Sequence, residues 1–341
     1  MDKKLKILIR TSGGRAPKKQ LGLGHVYRSL NLSSHLKHSQ IHFLIEDYGG
    51  LKQIFETKNI KNIKYLKKNI DINLDLSKTI SYIHEKKIDL IIIDKYDMKS
   101  EYSKKLRDYV KVVVISDLRK INYNADLVIN RFIGFENKII KNKFGTKCIL
   151  GPSVQILNKK FSKKISSTPK KYDLLITMGG FDEKNIIEFL LKPLTKFVDQ
   201  LKIKIILGPS SKKTSKISKW QKSYGKFVKI MDNSNNMFKE MSNVKYGICS
   251  GGITSYEFAM LNIPFAIICQ VKHQLITAKE WEKKRSGINF GLAEKISEKQ
   301  IEEFLEEIVM NKRKKTIKKN SLSNQKGIKL ITQEILSLVK K

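Results

Sequence analysis

Three runs of aliphatic residues, Leu90–Ile93, Val112–Ile115 and Leu127–Ile129, contain no polar residue, and each stops at one: Asp94, Ser116-Asp117 and Asn130. A strand wet on one face alternates apolar and polar residues. A strand that is apolar throughout is buried on both faces, as in a parallel sheet covered by helices on each side. Two further strand candidates, Leu5–Ile9 and Ile41–Ile45, precede these three, and helical stretches separate them. Ligand groups in parallel sheets project from the carboxyl ends of the strands. The polar terminators therefore mark the edge of a cleft. Asp94-Lys95-Tyr96 and Asp117 could touch a ligand there or cap the helices that follow, and the residues alone leave both readings open.

A second alternating series follows, with strands near Leu174–Thr177, Ile203–Leu207, Val228–Ile230, Tyr246–Cys249 and Phe265–Cys269. Between the two series, from Asn158-Lys159-Lys160 to Ser166-Ser167-Thr168-Pro169, the composition shifts to Asn, Lys, Ser, Thr and Pro, which predicts a linker over 158–171. The expectation is an α/β chain of two Rossmann-like domains facing each other across a cleft, residues 1–157 and 172–330. A charged helical tail from Lys299 to residue 341 is expected to cap the second domain, with its end lying back on the first.

The net charge of +36 taken alone suggests nucleic acid. The basic residues, however, are overwhelmingly lysine and are scattered through every segment, whereas arginine, the better reader of bases and phosphates, is scarce. Solvated lysine faces are expected instead, with no specific nucleic-acid partner; attraction to anionic substrates, or a peripheral membrane contact, is a secondary gain. Cys148, Cys249 and Cys269 are odd in number, widely spaced and without a C-x-x-C pair. With no secretory signal and no apolar run near the roughly 20 residues of a membrane helix, a reduced, cytoplasmic monomer is expected. No Asp-x-Asp pair follows a strand and no His/Cys cluster exists, so neither metal nor cofactor is expected.

Two glycine turns carry the chemistry. Gly22-Leu23-Gly24-His25-Val26-Tyr27-Arg28 closes an apolar strand and opens a helix. Such a junction aims unpaired backbone N–H groups at an anion, and a histidine at its mouth can move a proton near neutral pH. Most lone histidines are surface or core residues; His35, His38, His42 and His84 lack such a setting, with His273 a weaker case. Ser250-Gly251-Gly252-Ile253-Thr254-Ser255-Tyr256-Glu257 follows the strand ending at Cys249. Its glycines let backbone approach a ligand, Thr254 falls at a helix N-cap or first turn, and Glu257, a turn further, can accept both hydroxyls of a ribose. Alone, such a turn is more often structural. Its place opposite the first loop favours binding.

These residues, with Ile92-Ile93-Asp94-Lys95-Tyr96, Tyr172–Asp182 including Gly179-Gly180, Pro264 and Gln274, resemble a known pattern. The chain is similar, from Leu5 to about Trp281, to the UDP-2,4-diacetamido-2,4,6-trideoxy-β-L-altropyranose hydrolases of pseudaminic acid biosynthesis. It also resembles the related spore-coat polysaccharide proteins and, more distantly, the peptidoglycan N-acetylglucosaminyltransferases of GT-B fold. The resemblance implies a UDP-sugar substrate. It casts His25 as general base activating water at the anomeric carbon, with Gly24, Arg28 and Tyr96 near the substrate. Gly251, Gly252 and Thr254 would face the diphosphate, Glu257 the ribose, and Gln274 the sugar, with Gly179, Gly180 and His273 also counted among the substrate-binding residues. The sequence departs from that family at His273-Gln274, where it usually has Asn-Gln, at Val154-Gln155-Ile156-Leu157-Asn158, and at Arg10-Thr11-Ser12. A few extra residues around Arg15-Ala16-Pro17-Lys18-Lys19 also lengthen the loop before Gly22. These departures fall on sugar-facing positions. The expected activity is hydrolysis of a UDP-linked diacetamido-trideoxy sugar for a surface glycan. The rival is a GT-B glycosyltransferase in which His25 deprotonates an acceptor hydroxyl; a non-catalytic carbohydrate- or nucleic-acid-binding protein is a third, weaker reading.

Overall fold

The computed structural model describes residues 4–16, 19–96, 98–163, 169–209, 211, 213–310, 322 and 324–339. Its strands are β1 Leu5–Thr11, β2 Gly14–Ala16, β3 Lys19–Gly22, β4 Ser39–Glu46, β5 Ile63–Leu66, β6 Leu90–Asp94, β7 Lys111–Ser116, β8 Leu127–Asn130, β9 Lys138–Lys141, β10 Lys147–Leu150, β11 Tyr172–Thr177, β12 Ile203–Ile206, β13 Val228–Met231, β14 Val244–Cys249, β15 Phe265–Cys269 and β16 Ile288–Leu292. The helices are α1 Gly24–Ser33, α2 Leu51–Thr57, α3 Ile72–Lys86, α4 Ser100–Leu106, α5 Ile186–Thr195, α6 Ser215–Tyr224, α7 Met237–Ser242, α8 Ile253–Met260, α9 Gln274–Lys283, α10 Glu298–Val309 and α11 Asn324–Ser337. Every strand expected from an apolar run is present.

The first compact unit comprises Met1–Asn158 and Ser323–Lys341, and the second Lys159–Leu322. A second domain ending at 330 would thus cut through α11, whose Ile328, Ile331 and Ile335 are buried in the first unit's core. Within the expected linker, residues 164–168 lie outside the described residues. Pro17 and Lys18 of the lengthened loop do as well.

The first unit's sheet has the order β5-β4-β1-β6-β7-β8-β10-β9. All its pairings are parallel except β9 with β10. Alternate residues of a strand face opposite sides, and both sides here are apolar. Ile7, Ile9, Leu90, Ile92, Val113 and Ile115 pack with Val26 and Leu30 of α1 and Phe55 of α2. Leu8, Ile91, Ile93, Val112 and Val114 pack with Ile83 of α3 and Leu106 of α4. Two-sided burial of this kind is worth about 1.5–3 kcal/mol per large aliphatic side chain, and β6 and β8 accordingly carry no polar residue before their last position.

The second unit repeats the plan with six parallel strands in the order β13-β12-β11-β14-β15-β16. One face packs on α5, α6 and α10, where Ile301, Phe304, Leu305 and Ile308 supply the apolar stripe. On the other side, Phe258 of α8 and Trp281 of α9 meet Phe265. Cys148, Cys249 and Cys269 are all buried free thiols. No described helix is long and apolar enough to cross a membrane.

Candidate active site

In the first unit the glycine turn opens α1 as expected, but it does not close the apolar strand: β1 ends at Thr11, and the residues between form the hairpin β2–β3. Gly22 adopts φ 57°, a left-handed conformation that glycine takes without a Cβ penalty. The chain then enters α1 with no side-chain cap, so its first-turn N–H groups lack intrahelical acceptors. His25 and Arg28 stand three residues apart on α1, hence on one face of it. That face looks on the carboxyl ends of β6 and β7. His25 Nδ1 lies 2.6 Å from Asp94 Oδ1. Arg28 donates from Nε to Asp94 Oδ2 at 2.7 Å and from Nη2 to Asp94 Oδ1 in a very short contact, and its other edge donates to both Asp117 oxygens at 2.7 and 3.0 Å. Asp94 and Arg28 are buried, whereas the side chain of His25 is 17% exposed.

The electrostatics follow from that geometry. Burial alone would raise the carboxyl of Asp94, but Arg28 and His25 beside it hold it below the usual carboxylate range. Asp117 is held well below that range by Arg28 and Arg131 against the same opposing effect. Arg28, buried between them, is raised well above its ordinary value by Asp117 and Asp94. An ionised Asp94 at 2.6 Å is an acceptor for Nδ1–H, and Arg28 Nη2 lies 2.9 Å from the same nitrogen; in the tautomer with Nδ1–H on Asp94, Nε2 carries the lone pair. Nε2 is 3.8 Å from Asp117 Oδ2, so a proton gained there meets a second carboxylate. Such an arrangement can orient an imidazole to act as a base.

Neither Asp94 nor Asp117 caps a following helix: α4 begins at Ser100 with Lys99 as its N-cap residue. Of the two alternatives open in the sequence, helix capping is the one that the structure removes. Arg131, at the end of β8, was not foreseen. It contacts Asp117 at 3.4 Å and donates to Gln155 Oε1 at 3.1 Å. Tyr96 stands on the loop leaving β6, 38% exposed, with its amide tied to Ser12 Oγ at 2.9 Å. Gly24 has open space where a Cβ would go. Beside this group, Arg10 is fully buried on Asp75, at 2.9 and 2.8 Å, and on Glu46 at 3.1 Å, with Lys95 on Asp75 as well. That cluster is charge-balanced and braces the ends of β1 and β4 against α3.

In the second unit three loops meet at the carboxyl ends of the adjacent strands β11, β14 and β15. Gly179, at φ 79°, lies close to the hydroxyls of Ser250 and Thr254. Ser250 Oγ and Gln270 Nε2 both donate to Met178 O at 3.1 Å, and Gln270 Nε2 also donates to Phe181 O at 2.9 Å. Gln274 Oε1 accepts the Gln270 amide at 2.8 Å. Gln274 thus braces the loop, and a Cβ on Gly251 would strike its Cβ at 2.8 Å, so Gly251 is required by packing. Gly252 is the N-cap residue of α8 and is open toward solvent; Thr254 lies in the first turn and is buried. His273 is the N-cap residue of α9 and is half-buried.

Glu257, one turn into α8, is half-buried, and burial pushes its carboxyl up to about 7. Among the described residues its carboxylate has no hydrogen-bond or ion-pair partner. A carboxylate held without donors suits a ligand that brings its own hydroxyls. Gly208, which sequence reasoning passed over, makes the Gly179-Gly180 turn possible: a Cβ there would stand 2.1 Å from Gly179 O. Among the described residues no three His, Cys, Asp or Glu side chains gather as metal ligands would.

Residues 173–335 match the model of the glycosyltransferase family 28 C-terminal domain. The chain is 29% identical over 299 residues to an uncharacterized protein of Methanocaldococcus jannaschii; the match covers 83% of this chain and 59% of that protein, so it spans under two thirds of the relative's length. It is 25% identical to the spore coat polysaccharide biosynthesis protein SpsG of Bacillus subtilis over 64% of this chain and 67% of that one. The UDP-2,4-diacetamido-2,4,6-trideoxy-beta-L-altropyranose hydrolase of Campylobacter jejuni is 26% identical, with 84% and 99% covered. Among solved structures, MurG of Acinetobacter baumannii superposes with a TM-score of 0.63 at 13% identity, over 96% of this chain and 99% of that one. The two parallel-sheet units and these likenesses together give the chain the GT-B fold.

Proposed function

We propose that this chain hydrolyses a UDP-linked diacetamido-trideoxy sugar in the biosynthesis of a surface polysaccharide. The observation that carries the reading is His25 Nδ1 on buried Asp94, which leaves Nε2 free to act as base. In the proposed reaction Nε2 takes a proton from water, the water oxygen bonds to the anomeric carbon, and the bond from that carbon to the diphosphate oxygen breaks. The sugar leaves as the free hemiacetal and UDP departs with the electron pair. The second unit would hold the nucleotide, with the Gly252 N-cap toward the diphosphate and Glu257 toward the ribose. An oriented base contributes about 10²–10⁴-fold, and positioning together with N–H groups at the leaving phosphate supplies the rest. The names borne by the Campylobacter and Bacillus relatives support the substrate class.

The match to a glycosyltransferase domain favours a second reading, transfer of the sugar to an acceptor hydroxyl. Incubation with a panel of UDP-linked deoxyamino sugars, followed by NMR of sugar and nucleotide, separates the two. Stoichiometric UDP and free sugar without any acceptor are expected. UDP release that waits on an added acceptor overturns the hydrolase reading.

A further inference from the structure

At the opposite, amino-terminal end of the first sheet lies a cavity of about 670 Å³. Lys6 of β1, Gln40 and His42 of β4, and Tyr82, Glu85 and Lys86 of α3 line it together with Lys61, Asn62, Lys64 and Lys87. Five lysines thus line one cavity with a single carboxylate, Glu85, and one of them, Lys6, donates from Nζ to Lys86 O at 3.0 Å. That carboxylate is already engaged, 2.7 Å from Lys86 Nζ and 3.8 Å from Lys64 Nζ. The neighbouring Asp89 is turned away to accept the Lys6 amide at 2.8 Å.

The second observation is independent of charge. His42 is only 4% exposed, its Nδ1 lies 3.0 Å from Tyr82 Oη, and its Nε2 has no hydrogen-bond partner. Burial and the nearby Lys6 and Lys86 keep its ring in the neutral form. Nε2 is an unmet donor when Tyr82 donates to Nδ1 and an unmet acceptor when Nδ1–H donates to Tyr82 Oη. Either state is unfavourable for a buried nitrogen, and a phosphate in the cavity, which offers both ionised and protonated oxygens, can meet it.

We infer that this cavity is a binding site for a phosphorylated polyanion, separate from the catalytic constellation. Lysines are point charges on flexible stems and lack the planar fork of arginine. The site therefore suits a ligand with several phosphate oxygens rather than one carboxylate presented in a fixed plane. The inference stands whether or not the hydrolase reading does.

Inorganic pyrophosphate, titrated calorimetrically into the full chain saturated with UDP, tests it. A K61A/K64A/K86A variant and, separately, His42→Gln serve as comparisons, each checked for an unchanged unfolding midpoint. Wild type is expected to bind, with affinity falling as salt rises. The triple variant is expected to be weaker by at least about tenfold, as loss of three of five cations implies, and His42→Gln measurably weaker. Equal binding by wild type and the triple variant, or none by wild type at low salt, overturns the inference. Flotation with phosphatidylglycerol vesicles identifies the source of the phosphate. Pyrophosphate binding without flotation indicates a soluble ligand, and flotation lost in the triple variant indicates a lipid headgroup.

Discussion

Replacing Glu257 by Gln should make the protein more stable and a poorer binder at once, and the size of the first effect can be worked out. Burial places the carboxyl at about 7 in the folded chain against 4.5 ordinarily. A group raised on folding adds stability that is complete below its unfolded value and is lost as pH rises through its folded value. At about 1.4 kcal/mol per pH unit of displacement, the full loss is about 3 kcal/mol, a ceiling for a half-buried group. A permanently neutral glutamine escapes it. Glu257→Gln should therefore exceed wild type by up to about 3 kcal/mol at pH 8 and by under about 1 kcal/mol at pH 5. Urea unfolding read by tryptophan fluorescence reports the correct unit, because both tryptophans, Trp220 and Trp281, lie in the second. If Glu257 accepts the ribose hydroxyls, UDP should bind the variant at least about tenfold more weakly at pH 8, since an amide offers one acceptor oxygen in place of two. Identical pH profiles for wild type and variant would refute the electrostatic argument; improved stability with unchanged UDP affinity would refute the ribose assignment.

Other expectations follow from named contacts. His25→Ala or His25→Phe should lower turnover at least roughly 100-fold while UDP affinity, measured calorimetrically, stays within about twofold. Asp94→Asn should lower turnover similarly by losing the tautomer that frees Nε2, and should cost about 3 kcal/mol in unfolding free energy by leaving Arg28 half-paired; a variant of wild-type stability would sink the pairing argument. Gly208→Ala should displace the Gly179-Gly180 turn, because its Cβ would stand 2.1 Å from Gly179 O, and UDP affinity should fall while the His25 cluster is untouched. Asp75 is held at about 2 by Arg10 and Lys95 despite its burial. Its stabilising contribution is present above its unfolded value and lost as pH falls toward 2, so Asp75→Asn should flatten the acid limb of unfolding.

The fold was legible wherever strands are apolar throughout, because burial on both faces leaves no room for ambiguity of period. The missed strands lie at sheet edges or are short. The sequence Ile288-Asn289-Phe290-Gly291-Leu292 pairs on one side only and carries Asn and Gly, and Lys138–Lys141 is largely exposed. The His25 turn was readable because its glycines adjoin α1 in sequence, although the strand that ends at Gly22 is β3 of a two-stranded hairpin and the apolar strand β1 stops at Thr11. Its partners were not, since Asp94 and Asp117 are 69 and 92 residues further along and only strand order brings them to α1. Gly208 carried no signal as a lone glycine after a strand. The lysines of the amino-terminal cavity were hidden by abundance: in a chain this basic, five that converge look like five that do not. Gln274 also accepts the Gln270 amide, a role that depends on a loop geometry no spacing reveals.

One consequence of where α11 packs concerns the order in which the molecule can be born. Everything from Lys159 to Leu322 is synthesised before Ile328, Ile331 and Ile335 leave the ribosome, and those three belong in the core begun at Leu5. The half that starts first therefore finishes last, holding an unfilled apolar seam while its neighbour is completed. Premature termination before α11 would leave that seam permanently open, a lesion for quality control to recognise even though the residues around His25 would all be present.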